Sequence, residues 1–312
     1  MRPTLSLEEA RPVAKPVRSS LLPFSRPVLE EEEEREVLEC LRSGWITTGP
    51  RAARFERMFQ ERLGVEHAIG VGSATAGWHL VAHALGIGSG DEVIVPAITW
   101  ASCPNVVELL GATTVFADVL PDTLQIDPAD VARKITPRTR AIFPVHFAGA
   151  PCDLSALRAS ISGTDIVLVE DAAHALGTYH RDREVCADSQ VAIFSFHPIK
   201  NITTGEGGMV ILNDESLADR LRLLRFHGVT KDSWRRYKRE GAPEYEVLEP
   251  GYKYNMLDLQ AALGVCQLPK LDRFNARRAH LAERYDELLA ALPEFEPLGR
   301  VPYPHRHAWH LY

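Results

Sequence analysis

His67-Ala68-Ile69-Gly70-Val71-Gly72-Ser73-Ala74-Thr75-Ala76-Gly77 reads as a short apolar run that breaks at a glycine and passes into a helix. Five largely apolar residues make the length of a buried strand, and the small residues after them let the chain turn tightly. The same unit recurs downstream. Apolar runs at 92–95, 113–118, 141–145 and 166–169 alternate with helical segments at 76–85, at 104–110 before Gly111, and at 128–135. The last of these has Asp127 as its cap and Pro128 at its first position, a common helix start. Strand, helix and strand in repetition give right-handed crossovers and a mainly parallel sheet covered on both faces. The fold class is α/β. In such sheets the ligand crevice lies beyond the carboxyl ends of the strands, so the residues after each apolar run are the candidates for chemistry.

On the N-terminal side, residues 1–22 mix Pro, Arg and Glu without an apolar run and are expected to form a flexible arm. The glutamates from Glu30 to Glu34 lead into Val37, Leu38 and Leu41, with Gly44 placed to stop a helix whose first turn is acidic. Phe55, Met58, Phe59 and Leu63 repeat at helical spacing before Gly64, which predicts a second helix with a core-facing stripe. The 312 residues suffice for one large domain and part of another. A formal charge of −7 argues against a nucleic-acid footprint. Five widely spaced cysteines with no CxxC pair suggest neither a disulfide framework nor a zinc site and suit a reducing, cytoplasmic setting. No signal peptide or membrane span is expected.

Three stretches carry chemistry. Gly72 to Gly77 opens a helix whose free N–H groups can cradle a phosphate, although such turns are common without one. Val169-Glu170-Asp171-Ala172-Ala173-His174 sets a carboxylate three residues before an imidazole. Asp171 beside a pyridine nitrogen would keep that ring protonated, and His174 could reach a phenolic oxygen. The same residues could equally be a helix cap and a satisfied core histidine. In residues 194–208, FSFHPIKNITTGEGG, Lys200 stands between apolar segments among hydroxyls and glycines. Partial desolvation there would free its amine for imine formation, whereas an exposed loop lysine would do nothing of the kind.

Taken together, EDAAHALG (170–177), FSFHPIKNITTGEGG (194–208), SGWITTGP (43–50) and PGYKYNMLD (250–258) resemble the DegT/DnrJ/StrS family of pyridoxal-phosphate-dependent sugar-nucleotide aminotransferases. The likeness runs from about residue 23 to the last. It implies an aspartate aminotransferase-like, fold type I large domain over 23–265, followed over 266–312 by the start of a small C-terminal domain that is incomplete at Tyr312. By that resemblance Lys200 holds pyridoxal phosphate as a Schiff base, Asp171 meets the ring nitrogen, His174 the phenolic oxygen, and Trp100 stacks on the ring. Ala74, Thr75 and Ser195 would bind the phosphate. Asn255 would reach the phosphate of the neighbouring subunit, which implies a homodimer with shared sites. His197 and His310 are the implied substrate contacts. Many members carry glutamine where this chain has His174; the branch that makes UDP-4-amino-4-deoxy-L-arabinose has histidine, and SATAG, Thr99-Trp100 and HAWHLY point the same way. Related sugar dehydratases replace the Schiff-base lysine with histidine, so Lys200 argues against their chemistry.

The implied reaction is a ping-pong transamination in which L-glutamate displaces Lys200, the freed amine shuttles a proton, and oxoglutarate leaves. A 4-keto sugar nucleotide, in this branch a UDP-linked 4-keto-pentose, then takes up the amino group for cell-envelope or polysaccharide synthesis. Two alternatives stay open: the same chemistry on another keto-sugar nucleotide, and a non-catalytic cofactor-binding regulatory or scaffold dimer. A regulator acting on DNA should show a basic helix, and only a modest basic cluster occurs, at 231–239. His305, His307 and His310 are spaced like metal ligands but have no carboxylate or cysteine beside them, so no metal is expected.

Overall fold

Helix signals at the N-terminal end are met closely in the computed structural model, which describes residues 18–230 and 245–312. Most of the expected arm and the basic cluster at 231–239 lie outside the described residues. Helix α1 spans Glu31–Ser43 and ends at Gly44, whose φ of 72° puts it in the left-handed region where glycine carries no Cβ penalty. The Glu33 carboxylate accepts the N–H of Glu30 at 2.8 Å, satisfying one orphan donor of the first turn. Helix α2, Pro50–Leu63, begins on proline and stops at Gly64 in the same left-handed conformation.

The alternating units follow: β1 His67–Val71, α3 Ala74–Ala84, β2 Glu92–Pro96, α4 Ser102–Leu109, β3 Thr113–Ala117, α5 Pro128–Lys134, β4 Thr139–Ile142, α6 Leu154–Ser160 and β5 Val167–Asp171. Next come the short pair β6 Tyr179–His180 and β7 Arg183–Glu184, then β8 Val191–Ser195, β9 Gly208–Leu212 and α7 Glu215–Leu224. The described chain closes with α8 Asp258–Gln267, α9 Leu271–Leu289 and β10 His305–Arg306. Seven strands form one sheet in the order β1-β9-β8-β5-β4-β2-β3. Only β9 runs against its neighbours; β8, β5, β4, β2 and β3 pair in parallel. One expected strand is displaced. The run at 141–145 pairs as β4 only to Ile142, because Pro144 has no N–H to give, and Val145 instead bridges Asp171.

Period-two alternation sends the two faces of the sheet into different cores. Val191, Ile193, Val210 and Leu212 join the layer beneath α3, α4 and α7, where Trp78 packs on Phe143 at 4.6 Å. Ala192, Phe194, Met209 and Ile211 face α2 and α8. Here Phe59 meets Phe55, Phe194 and Phe196 at centroid distances of 5.2, 5.5 and 5.5 Å. Gly264 of α8 is small because a Cβ there would lie 2.6 Å from the Phe55 ring. Among the described residues no helix is long and apolar enough to cross a membrane.

Phe196 belongs both to this aromatic cluster and to the loop that carries Lys200, so the core under α2 supports the candidate site. Phe59→Ala should lower unfolding free energy by about 3–5 kcal/mol, measured by urea denaturation. A loss below about 1 kcal/mol would show that the cluster is not packed as described.

Candidate active site

The floor of the site forms where β1 and β8 end and β9 begins. Val71 and Ser195 both pair with Gly208, one on each side. A Cβ on Gly208 would come within 2.7 Å of the Ala74 amide nitrogen, so only glycine lets the start of α3 press this close. The Ser73 hydroxyl caps α3 by accepting the N–H of Ala76 at 3.1 Å. The N–H groups of Ala74 and Thr75 have no partner within the helix. The Ala74 amide and the end of β8 at Ser195 therefore meet at one glycine, at the positive end of a helix whose next free amide is that of Thr75.

Beside this floor, Asp171 ends β5 opposite Ile193 and is only 4% exposed. No helix follows it, which removes the helix-cap reading. Its Oδ1 accepts the N–H of Ala173 at 2.9 Å, and its Oδ2 accepts the Cys103 thiol at 3.4 Å. Burial raises the Asp171 pKa, while the Ala173 amide and the Lys200 charge pull it down. Lys200 is half-buried in the turn after β8, its N–H donating to His197 O at 2.9 Å. Burial lowers the Lys200 pKa, and Asp171 opposes that shift. His174 is pushed down to about 3 by burial and then by Lys200, so its ring is neutral at ordinary pH. Its Nδ1 is buried with no hydrogen-bond partner among the described residues. An orphaned polar atom beside a half-buried amine and a buried carboxylate is the arrangement that a polar ring ligand would complete.

The wall comes from the far end of the chain. His310 stacks on His174 with centroids 4.1 Å apart and an interplanar angle of 28°. Burial, followed by His174 and Lys200, lowers the His310 pKa to about 2. The segment holding it lies along residues 148–149: Ala308 N donates to Gly149 O and Leu311 N to Ala148 O, both at 3.1 Å. Gly149 adopts φ 102°, and a Cβ there would sit 3.0 Å from both His174 O and Trp309 N. Asn201, next to Lys200, donates to Ala308 O at 2.8 Å and to Asn275 Oδ1 at 2.7 Å. Cys103, Gly149 and Asn275 lie outside every motif stretch, and Asn201, within 194–208, carries no expected role of its own; their placement depends on contacts between distant segments.

Other expected site residues stand apart. Trp100, in the loop before α4, is 77% exposed. Asn255 bridges Val71 in its own chain, where its Nδ2 donates to Thr48 Oγ1 at 2.5 Å and its Oδ1 accepts from the Lys253 ammonium. The His197 ring is half-exposed, 4.0 Å from Glu206. The described residues contain one set with metal-ligand spacing, His146, Glu170 and Cys186, all buried. His146 Nδ1 accepts the Cys152 N–H at 3.0 Å, so the ring proton is on Nε2, which faces Glu170 Oε2 at 3.1 Å. That nitrogen is occupied as a donor, and the set is an internal hydrogen-bonded pair with a thiol beside it.

The model of the DegT/DnrJ/EryC1/StrS aminotransferase family matches residues 27–312. A putative sugar aminotransferase, Spr1654 from Streptococcus pneumoniae, solved in its PMP form, is 35% identical, with a TM-score of 0.88, over 94% of this chain and 78% of that one. DesV from S. venezuelae, solved with a ketimine intermediate, is 38% identical, with a TM-score of 0.82, over 90% of this chain and 73% of that one. PseC from Helicobacter pylori, an aminotransferase of pseudaminic acid biosynthesis, is 32% identical, with a TM-score of 0.85, over 93% and 76% of the respective chains. From its mainly parallel sheet to its match over nearly its whole length, the chain belongs to the DegT/DnrJ/EryC1/StrS aminotransferase family, whose members are pyridoxal-phosphate-dependent sugar aminotransferases.

Proposed function

We propose that this protein transfers the amino group of L-glutamate to a 4-keto sugar nucleotide, with Lys200 as the residue that bonds to pyridoxal phosphate. The observation that carries the proposal is the grouping of Asp171 and His174 around Lys200, whose charge bears on the ionisation of both in one half-buried space. When bound, the cofactor supplies an aldehyde for amino groups and an electron-withdrawing pyridine ring. Asp171 would take the pyridine N–H, and His174 would direct its orphaned Nδ1 to the phenolic oxygen. The amides of Ala74 and Thr75 and the Ser195 hydroxyl would hold the phosphate, and Trp100 would cover one ring face. Lys200 Nζ, with its pKa lowered by burial, would be the amine that holds the cofactor's aldehyde carbon. The same nitrogen would hold and move the proton exchanged between the amino-bearing carbons of donor and acceptor.

For the substrate, the reading is a UDP-linked 4-keto-pentose, the arabinose-type branch, in a cell-envelope or polysaccharide pathway of the cytoplasm. Its support is the stacked imidazoles of His174 and His310 at the wall, with the half-exposed His197 three residues before Lys200. A homodimer with Asn255 reaching the partner's phosphate, and a division into 23–265 and 266–312, belong to the same proposal. Trp45, Ile46 and Trp100, all more than 40% exposed, are the kind of surface that a second subunit would cover.

The visible spectrum of the purified chain with pyridoxal phosphate tests the reaction. Glutamate should bleach the cofactor band and oxoglutarate restore it, while Lys200→Ala should slow that half-reaction by at least about 100-fold. A band indifferent to glutamate would overturn the transaminase reading.

Neutral His174 and His310 also set a pH dependence. Their folded pKa values, about 3 and about 2, lie below the ordinary 6.5. As pH falls below 6.5 the unfolded chain binds protons that the folded chain refuses. The stabilisation is complete above that pH and is lost progressively as pH falls toward 3. Between pH 7.5 and 4.5, each should cost roughly 2 kcal/mol of stability. Urea titrations of His310→Phe should show a flatter profile than wild type, and parallel profiles would refute this account.

A further inference from the structure

The geometry points to Cys103 as a positioning residue that orients the Asp171 carboxylate toward the cofactor ring and ties it to the loop bearing Trp100. This rests on the pyridoxal-phosphate reading of the site and adds a residue that lies outside SGWITTGP, EDAAHALG, FSFHPIKNITTGEGG and PGYKYNMLD, the stretches that carry the family likeness. Cys103 is the second residue of α4 and is fully buried. Its N–H donates to Trp100 O at 3.3 Å, and its thiol donates to Asp171 Oδ2 at 3.4 Å. A single residue thus joins the candidate ring-stacking loop to the candidate ring-nitrogen partner. Each Asp171 oxygen accepts one bond, Oδ1 from the Ala173 amide and Oδ2 from the Cys103 thiol, and together the two donors fix the plane in which the remaining lone pairs lie.

The choice of sulfur matters. A hydroxyl or a cation on Oδ2 would draw off electron density that the pyridine N–H needs, whereas a thiol is a weak donor that orients without competing strongly. Burial and the neighbouring carboxylate keep Cys103 protonated, so it remains a donor throughout the working pH range. Its side chain also packs in the apolar layer with Val169, Ala141 and Phe143, which holds its rotamer.

The test compares wild type, Cys103→Val and Cys103→Ser, each loaded with pyridoxal phosphate. Three readouts are taken: glutamate half-reaction rate, glutamate KM, and the midpoint of the pH-dependent change in the cofactor's visible band. Cys103→Val keeps an apolar side chain of similar bulk but removes the donor. It should lower the maximal rate by about 3- to 10-fold, leave KM within about 2-fold, and shift the band midpoint. Cys103→Ser, which restores a donor, should recover part of the rate and move the midpoint back toward wild type. If Cys103→Val binds cofactor and matches wild type in rate and midpoint, Cys103 only packs and the inference fails. Should Cys103→Val not fold, Cys103→Ala decides, since it too removes the donor: a rate and midpoint equal to those of wild type would equally overturn the inference. Absence of a cofactor band in wild type would instead sink the underlying cofactor reading, and this inference with it.

Discussion

A buried carboxylate at the end of β5 is the constraint around which the rest of the site is arranged. Asp171 is removed from water and would be costly to ionise there without compensation. The Ala173 amide, the charge of Lys200 and the Cys103 thiol offset only part of that cost, and the carboxyl stays above its usual range. Lys200 in turn is half-buried and loses some of its affinity for a proton, so each group's ionisation depends on the other. The parallel sheet brings β5 and β8 side by side, so that the strand bearing Asp171 lies next to the one leading to Lys200. The same ends place the phosphate-type cradle at α3 one strand away, across β9.

Much of this was readable in the order of residues, and the reason is locality. A helix stop at Gly44 or Gly64, a cap at Asp127 and a strand of five apolar residues at His67–Val71 all depend on neighbours within a few positions. Position at or after the end of a strand marked Asp171, His174 and Lys200 as candidates, and the resemblance of their motif stretches to a known family gave them roles. The sequence did not show Cys103 beneath Asp171, or Asn201 and Asn275 holding residue Ala308, because those contacts join positions tens to hundreds of residues apart. Nor could periodicity reveal that Pro144 would end β4 early.

The wall of the site shows how a weakly patterned segment gains definition from tertiary contacts. Residues 305–311 carry no strong secondary-structure signal, yet β10 pairs with β6 and the chain then runs along 148–149. Gly149, in a backbone conformation that most side chains avoid, permits this close passage. The result is a second imidazole stacked on the first, both neutral, forming an apolar but hydrogen-bonding surface opposite the lysine.

Whether Lys200 is the residue that bonds to the cofactor is the claim on which the functional account turns. Borohydride reduction of the protein loaded with pyridoxal phosphate, followed by peptide mapping, tests it most directly. The account predicts one stoichiometric pyridoxyl label on the peptide containing Lys200, and none in Lys200→Ala. A label on another lysine, or scattered over several at equal yield, would contradict it.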